Sequence, residues 1–159
     1  MKKILILNGP NLNLLGEREP EIYGSTTLAA VEASCRSYAE LLTLAAEFRQ
    51  TNHEGEMVDW IQAARKSADA IVINPAGLSF HSIPVLDALK MFPGPIVEIH
   101  ISNIHARDEL HRHSIMSTVT TGVVCGLGTY GYIVAMQAAA RMLGVLPAGL
   151  PEPIRVGPV

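Results

Sequence analysis

The chain has 159 residues, 48% of them hydrophobic and 17% charged, with a net charge of −3. That length carries one domain with a sizeable core. Its 12 Lys and Arg are too few and too scattered for a nucleic-acid footprint, and apolar runs such as Ile133–Ala140 fall well short of a membrane span. Met1-Lys-Lys leads directly into a first strand, Lys3–Leu7, without the long apolar stretch of a signal peptide. After it comes a loop, Asn8–Gly24, holding three Asn, Arg18 and Tyr23 among glycines and prolines. Connections between strand and helix usually take about two to six residues, so a loop this long and chemically loaded reads as a lid over a site. A helix over 26–42 follows, then a strand over 44–50, a helix over 54–66 and a strand over 70–74. Polar residues run from Asn74 to Ser82, followed by a helix over 83–91 and a strand over 96–102. A polar stretch, Asn103–Ser117, with room for one short helical turn, leads to a strand over 119–125 and a helix over 130–143. Cys35 and Cys125 lack CxxC spacing and read as two free thiols of a reducing compartment, which places the protein in the cytoplasm.

Five strands alternating with helices and no long linker predict an α/β fold: a flavodoxin-like three-layer sandwich with a five-stranded parallel sheet in the order 2-1-3-4-5. The expected division is a single domain over 1–145 and a Pro-rich tail over 146–159 that lies on the surface or on a neighbouring subunit. In such sheets ligands bind outside the carboxyl ends of the strands. Asn8–Gly24, Asn74–Ser82 and His100–His105 all follow those ends and would converge on one cleft.

Within Glu98-Ile-His-Ile-Ser102, alternate residues of an extended strand share a face, so Glu98, His100 and Ser102 point together. A carboxylate beside an imidazole fixes its tautomer and favours its charged form, which suits a general acid. A neighbouring guanidinium favours the phenolate of a tyrosine, which makes Arg18 and Tyr23 a candidate base; on these two residues alone, simple packing of the loop is an equal reading. Asp87 and His81 lie near the third strand, though Asp87 equally suits a solvated helix. His105, His111 and His113 have no i, i+4 pairing or Cys partner, which argues against zinc. Gly126-Leu-Gly-Thr-Tyr-Gly131 matches a dinucleotide fingerprint in the wrong βα unit, and its glycines read as allowing close helix–strand packing.

The motifs Asn8-Gly-Pro-Asn-Leu-Asn-Leu-Leu-Gly16, Arg18-Glu-Pro-x-x-Tyr-Gly24, Asn52-His-Glu-Gly55, Asn74-Pro-Ala-Gly77, Glu98-x-His-Ile-Ser-Asn103 and Thr121-Gly-Val-Val-x-Gly-Leu-Gly128 resemble type II 3-dehydroquinate dehydratase, in order and spacing, over nearly the whole chain. The resemblance implies trans elimination of water from 3-dehydroquinate to 3-dehydroshikimate through an enolate, without metal or cofactor, in a dodecamer built from trimers. The same reaction serves aromatic amino-acid biosynthesis or quinate catabolism. It assigns Tyr23 as the base, Arg18 as the group favouring its phenolate, Asn11 as a holder of the enolate-stabilising water, and His100, oriented by Glu98, as the acid. Asn74 and the N–H groups of Ile101 and Ser102 would hold the substrate carboxylate, and Asp87 would reach the site of a neighbouring subunit.

Three positions depart from the family pattern. Ser79-Phe80-His81-Ser82 stands where the family has Thr-His-Thr-Ser, so that Phe80 takes the place of a His that reads ring hydroxyls. His111 replaces a hydroxyl-binding Arg, and Leu86 replaces an Arg before Asp87. His81, His111 and Arg112 are therefore the candidate substitutes on the hydroxyl-reading side. The alternatives are a dehydratase for a different carboxylated hydroxy-ketone and a non-catalytic ligand-binding homologue.

Overall fold

Five strands, β1 (Lys3–Asn8), β2 (Ala45–Gln50), β3 (Ala70–Asn74), β4 (Ile96–His100) and β5 (Gly122–Cys125), pair in parallel in the order β2-β1-β3-β4-β5. The structure, a computed structural model, describes residues 1–149. The expected conformation of the Pro-rich tail falls outside them from Leu150 onward. Four helices cover the sheet: α2 (Leu28–Leu41) and α5 (Tyr130–Met142) on one face, α3 (Glu54–Ser67) and α4 (Ile83–Lys90) on the other. A single extra turn, α1 (Pro20–Tyr23), lies inside the long loop after β1, with Pro20 supplying a preset φ at its start. No helix among the described residues is long and apolar enough to cross a membrane.

Both faces are covered, so the central strands are apolar throughout rather than alternating. Ile4 and Ile6 of β1 enter the core beneath α2 and α5, while Leu5 and Leu7 enter the core beneath α3 and α4. Val72 and Ile71 of β3 divide in the same way. At the carboxyl ends this alternation turns up polar side chains on both faces. Asn8 and Asn74 continue the α5 face, whereas Glu98 and His100 continue the α3–α4 face; all four are buried.

Three details differ from the sequence reading. β4 ends at His100 and β5 begins only at Gly122, so Ser102 lies beyond the strand alternation that aligns Glu98 with His100. The backbone turns off there because Gly126 and Gly128 donate to the carbonyls of His100 and Ile101 (3.2 and 3.0 Å). The stretch between β4 and β5 holds three 3-10 turns rather than one, two of them started by Asn103 and Asp108 accepting the N–H two residues on (3.1 and 3.0 Å). Gly126 and Gly128 serve backbone conformation (φ 84° and 62°), and of the three only Gly131, on α5, sits where a Cβ would touch the Val124 side chain of β5 (3.6 Å) as helix–strand packing requires.

Candidate active site

A cavity of about 180 Å³ opens at the carboxyl ends of β1, β3 and β4, at the switch point beside β1 and β3. Its floor includes Asn74, His100 and Ile101, its lid Asn11, Arg18 and Tyr23, and one wall Phe80, Arg107 and His111.

The buried end is built around Glu98, which is 0% exposed. One carboxylate oxygen accepts from His100 Nε2 (2.6 Å) and from the Ser114 hydroxyl; the other accepts from Ser117 (2.7 Å) and Thr120 (3.3 Å). Burial opposes ionisation, but the hydrogen bonds from His100, Ser114 and Ser117 outweigh it and hold the Glu98 carboxyl below its ordinary value. Glu98 is therefore an anion that orients the imidazole, leaving Nδ1 as the ring nitrogen free to meet a ligand. Phe80 lies nearly parallel to the His100 ring (centroids 6.5 Å apart, 27°) and edge-on to His111 (5.5 Å, 79°).

The lid presents Tyr23, half-buried, between two guanidiniums. Arg107 Nη1 donates to its hydroxyl oxygen at 2.9 Å, with its guanidinium carbon 5.7 Å from the ring centroid. Arg18 stands 6.0 Å from the same centroid and pairs with Glu19 at 3.5 Å. Arg107 escaped the sequence reading. It sits on the turn capped by Asn103, and Arg112 braces that turn by donating from Nε and Nη2 to the Arg107 carbonyl (3.2 and 2.9 Å).

The lid's first turn is pinned from β2. Gln50 Nε2 donates to the Gly9 carbonyl (3.2 Å), and Asn11 N–H donates to Asn52 Oδ1 (2.9 Å). Asn11 holds a left-handed backbone (φ 69°), a conformation asparagine tolerates better than most residues.

The structure thus brings Asn11, Arg18, Tyr23, Asn74, His100, Ile101, Ser102 and His111 to one cavity, with Glu98 directly behind His100. It does not bring three others there. His81 is exposed beside Phe80, Arg112 is committed to the Arg107 carbonyl, and Asp87 is exposed on α4, where it pairs with Lys90 at 3.5 Å. His111 reaches the cavity with Nδ1 held by Asp108 (2.8 and 2.9 Å). No group of three or more His, Cys, Asp or Glu among the described residues is placed to hold a metal ion.

An open parallel sheet, with a cleft at its switch point lined by a tyrosine that accepts from an arginine and by a histidine held by a carboxylate, defines a flavodoxin-like α/β enzyme. Residues 2–140 match the family Dehydroquinase class II, and the chain belongs to that family. A 3-dehydroquinate dehydratase of Caulobacter sp. (strain K31) is 51% identical over 144 residues, which are 91% of this chain and 98% of that protein. A catabolic 3-dehydroquinase of Verticillium alfalfae is 54% identical over 139 residues, 87% of this chain and 93% of the relative. The crystal structure of type II dehydroquinase from Propionibacterium acnes matches with a TM-score of 0.86 at 45% identity, covering 89% of this chain and 97% of that one.

Proposed function

We propose that this chain removes water from 3-dehydroquinate to give 3-dehydroshikimate, with Tyr23 as base and His100 as acid. The observation that carries the reading is the hydrogen bond from Arg107 to the Tyr23 hydroxyl, in the cavity that the Glu98-held His100 also lines. Charge-assisted bonds are roughly twice as strong as neutral ones, so a phenolate oxygen gains more from Arg107 than a phenol does. Tyr23 takes a proton from the carbon next to the ketone, and the bonding pair moves onto the carbonyl oxygen as an enolate. Asn11 helps hold a water against that oxygen. When the enolate collapses, the bond to the departing hydroxyl breaks and His100 supplies its proton, so water leaves. Exchange with solvent then takes the proton from Tyr23 and returns one to His100. Positioned acid and base groups of this kind contribute about 10²–10⁴-fold each.

Asn74 and the N–H groups of Ile101 and Ser102 hold the carboxylate, and His111 meets the ring hydroxyls. Assembly as a dodecamer of trimers would give the exposed Asp87 a neighbouring site to reach. A cytoplasmic setting agrees with the free thiols of Cys35 and Cys125. The test is the ultraviolet absorbance of a conjugated enone when purified protein meets 3-dehydroquinate. Turnover is expected from the wild type, with less than about a tenth of its kcat from a folded Tyr23→Phe variant. No turnover by the wild type would refute the substrate; full activity in the variant would refute the base.

A further inference from the structure

Beneath the cavity, a buried polar relay crosses the end of the sheet. Asn8 Nδ2 donates to the Arg49 carbonyl of β2 (3.0 Å), and Tyr132 of α5 donates its hydroxyl hydrogen to Asn8 Oδ1 (2.6 Å). Asn74 Nδ2 donates to Tyr132 Oη (3.1 Å), and Asn74 Oδ1 accepts the Ala76 N–H (3.2 Å). Tyr132 is wholly buried, and its only hydrogen-bond partners among the described residues are these two asparagines.

The direction of every bond follows from the ends. A backbone carbonyl only accepts, so Asn8 must turn its amide nitrogen to Arg49 and its oxygen to Tyr132. Tyr132 has one hydrogen, which is then spent on Asn8, and its oxygen can only accept from Asn74. A backbone N–H only donates, so at the other end Asn74 must turn its oxygen to Ala76. The two ends agree, and the hydrogen left over on Asn74, which lines the cavity, is the second N–H of Nδ2. We propose that Tyr132 is a positioning residue that fixes the Asn74 carboxamide so that it offers the cavity a donor, selecting a ligand group that accepts, a carboxylate oxygen, over one that donates. The proposal rests on the reading that Asn74 holds the substrate carboxylate. Without the Tyr132 hydroxyl, the Ala76 N–H alone would orient the amide.

The test is the ratio of kcat/KM for 3-dehydroquinate to that for its primary carboxamide, measured for wild type, Tyr132→Phe, Asn8→Ala and Asn74→Ala. The ratio is read from folded molecules alone and does not depend on how much of a variant folds. Tyr132→Phe is expected to lower it about fivefold, the worth of one ordinary hydrogen bond, mainly through a raised KM for the carboxylate with kcat little changed. Asn8→Ala frees the Tyr132 hydrogen and is expected to lower the ratio in the same direction, which keeps the test open if Tyr132→Phe does not fold. A change in Asn74→Ala with wild-type ratios in Tyr132→Phe and Asn8→Ala would overturn the positioning role. A wild-type ratio in Asn74→Ala would overturn the carboxylate reading, and the positioning role with it.

Discussion

Replacing Glu98 by Gln tests the acid half of the site. The carboxylate has two oxygens and four donors: His100 and Ser114 on one, Ser117 and Thr120 on the other. Gln keeps one oxygen and puts an NH₂ in place of the second. If the oxygen stays with His100, the imidazole loses an anionic partner at 2.6 Å, and the hydroxyls of Ser117 and Thr120 must rotate to accept. If the nitrogen takes that place, two N–H groups face each other unless the ring gives up its Nε2 proton. Either way the bond orienting His100 falls from a charge-assisted one to a neutral one at best, a loss of about 1–2 kcal/mol, and the protonated ring loses its counter-charge as well. Losses behind an active group typically cost about 10–100-fold, so kcat is expected to fall about 100-fold, or about 2.7 kcal/mol in barrier height. The assay is initial rate by enone absorbance at saturating substrate, with circular dichroism to confirm the fold. A folded variant within about threefold of wild-type kcat would refute the claim that Glu98 orients His100. The same variant tests a pH effect. Glu98 has its carboxyl held below the ordinary 4.5, so it contributes stability that is present above that value and disappears as pH falls through the lower native one. Wild type should therefore lose Tm on acidification below about 4.5 more steeply than Glu98→Gln. Asp69 and Glu47 are shifted the same way in both proteins and cancel in the comparison.

Arg107→Met keeps the bulk and removes the donor to Tyr23; kcat should fall about 10–100-fold with Tm little changed, and an unaltered kcat would show that Arg18 alone suffices. Phe80→His places a polar ring between His100 and His111 and is expected to raise kcat/KM for 3-dehydroquinate up to about tenfold, the worth of a recovered hydroxyl contact; a fall would show that the apolar wall holds His100 in place. Gly9→Ala would drive a Cβ into the Pro75 carbonyl where the chain leaves the paired ends of β1 and β3. A loss of about 3 kcal/mol is expected, lowering Tm by roughly 10 °C, and a near-wild-type Tm in thermal melts would refute the close approach of Gly9 to Pro75.

The sheet was legible because its central strands are short apolar runs that end in Asn or His, with helical periodicity between them. Glu98 and His100 were legible for the same reason, as polar residues two apart at the end of such a run. Arg107 was not, because its stretch has no period; the cues were local, Asn103-x-His105 and Asp108-x-Leu110, which cap successive 3-10 turns and so aim the arginine. Tyr132 was hidden differently. On α5 it is one more apolar-face residue, and its hydroxyl gains a purpose only once β1 and β3 end side by side beneath it. Phe80 was identified as a departure, but that His81 would stay outside while His111 came in depended on the 3-10 turn over Ala76–Phe80, which spacing does not reveal.

The bond between Arg107 and Tyr23 joins residues 84 apart in the chain, and that between Asn8 and Tyr132 joins residues 124 apart. The cation is made only after β4, and the relay is complete only once the last helix, α5, has docked. During synthesis, the tyrosine emerges well before the arginine that donates to it. The site is thus complete only when the end of the chain is in place, as a by-product of topology, and turnover becomes a receipt for a finished fold: a chain cut before α5 would lack the relay altogether.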